Sequence, residues 1–205
     1  MAEDRSYIEA NNRERERLRA LVDRLDDETL TAPVNEYWTV AGVLGHMAFW
    51  DQRVMVFTEK IERSEPWVPG DAEPEGDWLN DTTRPLIHAI APRAAAQLAL
   101  RTAEQTDARV AELPPDRFWP NDPDSPISAA RWEHRAEHLD EIEAALRVSD
   151  PSVLRRLADD GSEEAERRLT ELAVERGDLE QLRRLADGGN EEAERRLTEL
   201  IRNIK

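Results

Sequence analysis

The sequence predicts an all-α protein, a four-helix bundle followed by a small α-helical hairpin-repeat module. Three observations lead there. Ala, Leu, Arg and Glu dominate while β-branched residues are thin and Gly numbers only eight, a mixture that favours helix over sheet. Apolar residues recur at helical spacing in long segments separated by proline-bearing breaks. Near the end of the chain, "LRRLADDGSEEAERRLTEL" (Leu154 to Leu172) returns as "LRRLADGGNEEAERRLTEL" (Leu182 to Leu200), a period of 28 residues.

The first helix is expected from Ser6, as N-cap, to Leu25. Ile8, Leu18, Leu21, Val22 and Leu25 share a face, although Asn11 to Arg17 is entirely polar. "DDETLTAPV" breaks it, with Pro33 as the stop. The second helix is expected over Thr39 to Arg63, with Thr39 as N-cap and a stripe of Val40, Val43, Leu44, Met47, Trp50, Val54, Phe57 and Ile61. "SEPWVPGDAEPEGDW" reads as a long loop, with a short helical turn at "NDTTRPLIH". Pro92 suits the first turn of a third helix ending near Leu113. After the loop "PPDRFWPNDPDSP", the fourth helix is expected from Ser125, as cap, with Pro126 at its first position. The bundle domain then covers 1–148 and the repeat module 149–205. Each repeat reads as helix, turn and helix, with Ser162 and Asn190 as caps. A single unit is too small to bury its own stripe, so the pair is expected to pack against the fourth bundle helix or against another subunit.

Composition narrows the function. The net charge of −17 repels nucleic-acid phosphates and anionic lipid, so neither nucleic acid nor membrane is an expected partner. Residues 150–205 carry 15 acidic and 11 basic residues, so the acidity belongs mainly to the bundle. Without cysteine, disulfides and thiolate ligands are excluded, and any metal must be held by His, Asp, Glu or water. No apolar run resembles a signal peptide or a membrane span, and the expected compartment is the cytoplasm. No GxxxxGK, GxGxxG or HExxH motif occurs, and no Ser/His/Asp arrangement is signalled.

Four histidines are present. His134 and His138, four apart on one helix, project from the same face and can reach one ion. His46, from a different helix, supplies a third nitrogen. Three neutral imidazoles without a fixed fourth ligand leave coordination open for water or substrate, as in catalytic sites. Asp51, Glu133, Glu137, Asp140 and Glu141 lie nearby in sequence, to orient an imidazole or act as a base. Trp38, Trp50 and Trp132 are expected to wall the pocket, and the loops 64–80 and 114–125 to shape it. His88 has no partner pattern and is expected at the surface.

"YWTVAGVLGHMAFWD" resembles the second-helix motif of the DinB-like (YfiT-like) superfamily, in which Trp-Thr precedes a ligand His and a nearby Trp-Asp. "WEHRAEHLDEIE" resembles that family's last bundle helix with its HxxxH. The segment from Trp78 to Leu113, with its Asn80-Asp81 turn, resembles the approach to the third helix and adds Asn80 to the pocket candidates. The resemblance covers roughly residues 5–147. It implies a four-helix bundle with a long crossover and one divalent metal (zinc, nickel or iron) on three ligands, here His46, His134 and His138. It also implies a small-molecule substrate and a thiol-dependent S-transferase or related hydrolase, with a low-molecular-weight thiol such as mycothiol as cofactor. In the isomerase branch one late ligand is Glu; both are His here, which disfavours that branch. The repeats lie outside the resemblance. They support an alternative, a non-catalytic metal-binding scaffold whose repeats mediate homodimer or other protein–protein contact.

Overall fold

The computed structural model describes residues 5–63, 65, 76–122, 125–159 and 161–203. Among these the protein is all-helical, with ten α-helices, one 3-10 turn and no β-strand. The chain divides into two compact units, Met1–Glu143 and Ala144–Lys205. No helix among the described residues is long and apolar enough to cross a membrane.

In the first unit, α1 (Ser6–Arg24) buries Leu18, Leu21 and Val22, as its periodicity requires. It also buries Asn11 and Glu14. Its N-cap position is Arg5, without a side-chain cap, so Ser6 begins the helix rather than capping it. The break after it contains a short helix, α2 (Asp27–Thr31), which Asp26 caps by accepting from Thr29 N–H at 2.8 Å. The loop that follows is closed twice. Asn35 Oδ1 accepts from the N–H groups of Tyr37 and Trp38, each at 3.0 Å. Val40 N–H then donates to Ala32 O at 2.9 Å. Thr39 caps α3 (Val40–Glu62) as expected, accepting from Gly42 N–H at 3.1 Å.

α4 spans Gly76–His88, so the segment read as loop up to residue 80 is helical in its last five residues, and the expected short turn is a full helix. The rest of that expected loop, apart from Glu65, lies outside the described residues. Two glycines of α3 admit α4. A Cβ on Gly45 would lie 2.7 Å from Ile87 Cγ2, and one on Gly42 would lie 2.9 Å from His88 Cε1. Side chains there would push α4 off α3, at a cost of about 1–3 kcal/mol for an overpacked contact.

α5 (Pro92–Glu112) packs against α3 through small residues, Ala95, Ala96, Ala99 and Ala103, which are at most 1% exposed. A 3-10 turn, Pro115–Arg117, leads to Phe118. Phe118 joins Val54, Phe57, Val110, Leu113, Ile127 and Ala129 in one buried cluster.

The last long helix, α6 (Arg131–Ser149), starts six residues later than Ser125. The cause is what Ile127 and Ala129 do instead. Both are buried in the Phe118 cluster, and Ile127 O accepts from Trp119 N–H at 3.0 Å, which holds the segment outside a helix. Ser125 Oγ accordingly donates to Ile127 O at 3.3 Å and caps nothing. The capping role passes to Asn11 of α1. Its Oδ1 accepts from Trp132 N–H at 2.8 Å and its Nδ2 donates to Ala129 O at 2.9 Å.

The second unit contains α7 (Pro151–Asp159), α8 (Glu163–Glu175), α9 (Leu179–Asp187) and α10 (Glu191–Asn203). Its turns repeat like its sequence. Gly161 and Gly189 have φ of 91° and 97°, where any other residue is strained. Ser162 accepts from Ala165 N–H and Asn190 from Ala193 N–H, at 3.3 and 2.8 Å. Leu154, Ala165, Leu169 and Leu172 form one buried cluster, and Ala173, Leu182 and Ala193 the next.

Candidate metal centre

His46 lies on α3, just after the pair of glycines that admit α4, and is 6% exposed. His134 and His138 project one turn apart from α6. The structure brings the three together, with one ligand nitrogen from each within 4.8 Å of the others. The meeting atoms are all Nε2: His134 stands 3.3 Å from His46 and 3.2 Å from His138. A tetrahedral ion with bonds of about 2.0–2.1 Å separates its ligands by about 3.3–3.4 Å, close to these values.

Protonation fits this arrangement. Burial pushes the His46 imidazole down to about 4, with His138 adding to the effect. Burial also holds His134 well below the ordinary imidazole range, followed by Arg131 and the two other imidazoles. Both rings are therefore neutral at pH 7. A single proton on His134 Nε2 can serve only one of its two Nε2 neighbours, whereas one cation among the three accepts every lone pair. His138 Nδ1 donates to Glu141 Oε2 at 2.9 Å, which leaves its Nε2 lone pair facing inward. Nδ1 of His46 and of His134 is buried without a hydrogen-bond partner among the described residues.

One consequence is testable on metal-free protein. The unfolded chain takes up a proton at His46 near pH 6.5, while the folded chain does so only near 4. Across that window the unfolded state binds more protons, so stability falls as pH falls. The expected loss from His46 is on the order of 3 kcal/mol, with His134 acting in the same direction. Urea midpoints measured between pH 7 and 4 check this, and His46→Asn should flatten the profile.

Aromatic rings enclose the cluster. Trp38 meets His46 edge-on at 5.5 Å, and Trp50 lies 6.2 Å from His46 and 6.3 Å from His134. Trp50 Nε1 donates to Asn80 Oδ1 at 3.0 Å, so α4 fixes the indole that stands against the histidines. Trp132 is held through its main chain to Asn11. His88 is exposed, stacked on the far partner of this wall, Trp38, at 5.3 Å, with its Nε2 3.1 Å from Tyr37 O. Of the carboxylates singled out from sequence, only Glu141 reaches a ligand ring among the described residues. Asp140 pairs with Arg17 at 2.6 Å, and Glu133 and Glu137 are exposed.

Asp51 serves a different purpose. Its Oδ1 accepts from Arg131 Nε at 3.1 Å, and its Oδ2 from Arg135 Nε and Nη2 at 3.3 and 3.1 Å. Arg135 is 0% exposed. Its Nη1 donates to both oxygens of Asp107 at 2.8 and 2.9 Å, and its Nη2 also reaches Ala103 O at 3.4 Å. Arg15 closes the network on Asp107 at 2.8 Å. Burial pushes the Asp107 carboxyl up, against the pull of Arg135 and Arg15. This clamp ties α6 to α3 and α5 directly beside His134 and five residues from His46. Sequence reasoning missed Arg135, Asp107 and Arg15. The signal was present: Arg135 stands four positions before Leu139, where the stripe of α6 calls for an apolar residue.

Compared with known proteins, the chain matches no family model, no curated protein and no solved structure.

Proposed function

We propose that the four long helices α1, α3, α5 and α6 form a DinB-like bundle that holds one divalent ion, zinc, nickel or iron, on His46, His134 and His138. On this reading the protein is a metal-dependent transferase or hydrolase acting on a small molecule, in the first place a thiol-dependent S-transferase. The observation that carries it is the convergence of three Nε2 atoms, with His134 3.3 Å from His46 and 3.2 Å from His138, and no fourth protein ligand in the cluster among the described residues. An ion held there supplies Lewis acidity and makes a thiolate or hydroxide available at neutral pH.

The chain's own residues have distinct parts in this reading. His46 and His134 bind without first losing a proton, because burial keeps both neutral. Glu141 orients His138, and the Asp51–Arg135–Asp107 clamp fixes the register of α6. Trp38 and Trp50 limit water around the ligand rings, and Asn80 keeps Trp50 in place. The sequence set two loops to shape the pocket. In the second of them Phe118 is a core residue, so that loop is anchored rather than free to wrap a ligand.

The test is a thiol-transfer assay with an electrophilic aryl or epoxide acceptor and a panel of low-molecular-weight thiols. Activity should follow metal content, vanish on chelation, return with the ion and be absent from His134→Ala. Transfer that persists in metal-free protein overturns the proposal. The second reading, a scaffold in which the ion is structural, is favoured by the hairpin repeats, which a small-molecule transferase does not need.

A further inference from the structure

The two repeats share a sequence but not an environment. On α8 the outer face is covered: Leu169 and Thr170 are 2% exposed, Leu172 7% and Ala173 3%. The residues 28 positions later are Leu197, Thr198, Leu200 and Ile201 of α10. Leu197 and Leu200 are only half-buried, Thr198 is exposed and Ile201 is 37% exposed.

What covers α8 is on view. Ala173 clusters with Leu182 and Ala193, and Leu185 packs against both this cluster and the Leu154–Leu169–Leu172 cluster. The covering helix is thus α9, through Leu182 and Leu185 of its segment "LRRLAD". The same six residues occur at 154–159 in α7. There Leu154 is buried, but Leu157, the counterpart of Leu185, is 41% exposed. The unit therefore presents an uncovered α8-type face at one end and an unused α9-type leucine at the other. Stacks of this kind usually close with a polar outer face. Here the change from Ala173 to its counterpart Ile201 enlarges the apolar side chain instead.

We propose that α7 of a second copy of this chain docks on α10, head to tail, so that Leu157 takes beside Leu197, Leu200 and Ile201 the place that Leu185 takes between the two repeats. The contact continues the internal interface with the same helix sequence on the covering side. It is heterologous, so it builds rings or open chains rather than a two-fold pair. It stands independently of any ion at the histidines, and it gives the protein-contact reading of the repeats a defined partner.

The experiment is sedimentation velocity on the full chain, from low micromolar to submillimolar protein. Wild type should associate with rising concentration. Leu157→Glu and Ile201→Glu, both at exposed positions, should each remain monomeric with unchanged helical circular dichroism. Each variant keeps one intact surface, so an equimolar mixture should form a 1:1 dimer and nothing larger. Wild type that stays monomeric throughout overturns the proposal. So does a mixture that stays monomeric while wild type associates, since that places the contact elsewhere.

Discussion

Replacing Arg135 by methionine should lower the unfolding free energy by about 3–5 kcal/mol, the usual cost of removing one partner from a buried ion pair. The side chain is fully buried and its donors reach Asp51, Asp107 and Ala103 O. Methionine fills much of the volume but leaves two carboxylates in a low-dielectric interior. Arg131 and Arg15 keep one contact each to them and cannot replace a fork that spans both. Lysine keeps the charge but lacks that fork, so Arg135→Lys should fall between wild type and methionine. Urea denaturation checks this as a shift in midpoint at unchanged slope. A loss under about 1 kcal/mol would show that the clamp is a neutral filling of the core.

The second large effect is on metal affinity. His134→Ala removes the nitrogen that stands between the other two, at 3.3 and 3.2 Å. Affinity for zinc or cobalt should fall more than about 100-fold, beyond what loss of an outer-shell partner costs. Glu141→Gln should cost about tenfold, because it disturbs only the orientation of His138 from a carboxylate that is itself 44% exposed. His88→Ala should leave affinity unchanged, since His88 contacts Trp38 and the Tyr37 carbonyl and not the cluster. Competition against a chelating dye measures all three. Equal losses in the three variants would mean that affinity reflects general stability and not ligation.

The helices, the Thr39 cap and the turns of the repeats were legible because each follows from local chemistry. Apolar spacing marks a helix, a threonine before Val40 marks its start, and Asp-Gly with a following Ser or Asn marks the turn. His134 and His138 were legible for a similar reason, since a four-residue separation on a helix is already a geometry; His46, on another helix, was legible only through the resemblance of the motif around it. What was not legible depended on residues distant in sequence. Ser125-Pro126 has the local form of a helix start, yet burial of Ile127 and Ala129 beside Phe118 outweighs it and moves the start to Arg131. Asn11 looks solvated among charged neighbours, but it stands seven residues before Leu18 on the same stripe and is 2% exposed. Asp51, Asp107 and Arg135 obey the same rule. Each is a charge where the stripe of its own helix calls for an apolar side chain, and each is buried against the others. Periodicity thus carried information about buried polar networks as well as about the core, at positions that a hydropathy reading treats as exposed.

The central claim is that His46, His134 and His138 form one metal site. It is tested most directly by a crystal of the protein loaded with zinc, with diffraction recorded on both sides of the zinc absorption edge. The expected result is one anomalous peak per chain, about 2.0–2.1 Å from the Nε2 atoms of all three histidines. A peak bound to other residues, or no peak among the three rings at saturating zinc, would contradict it.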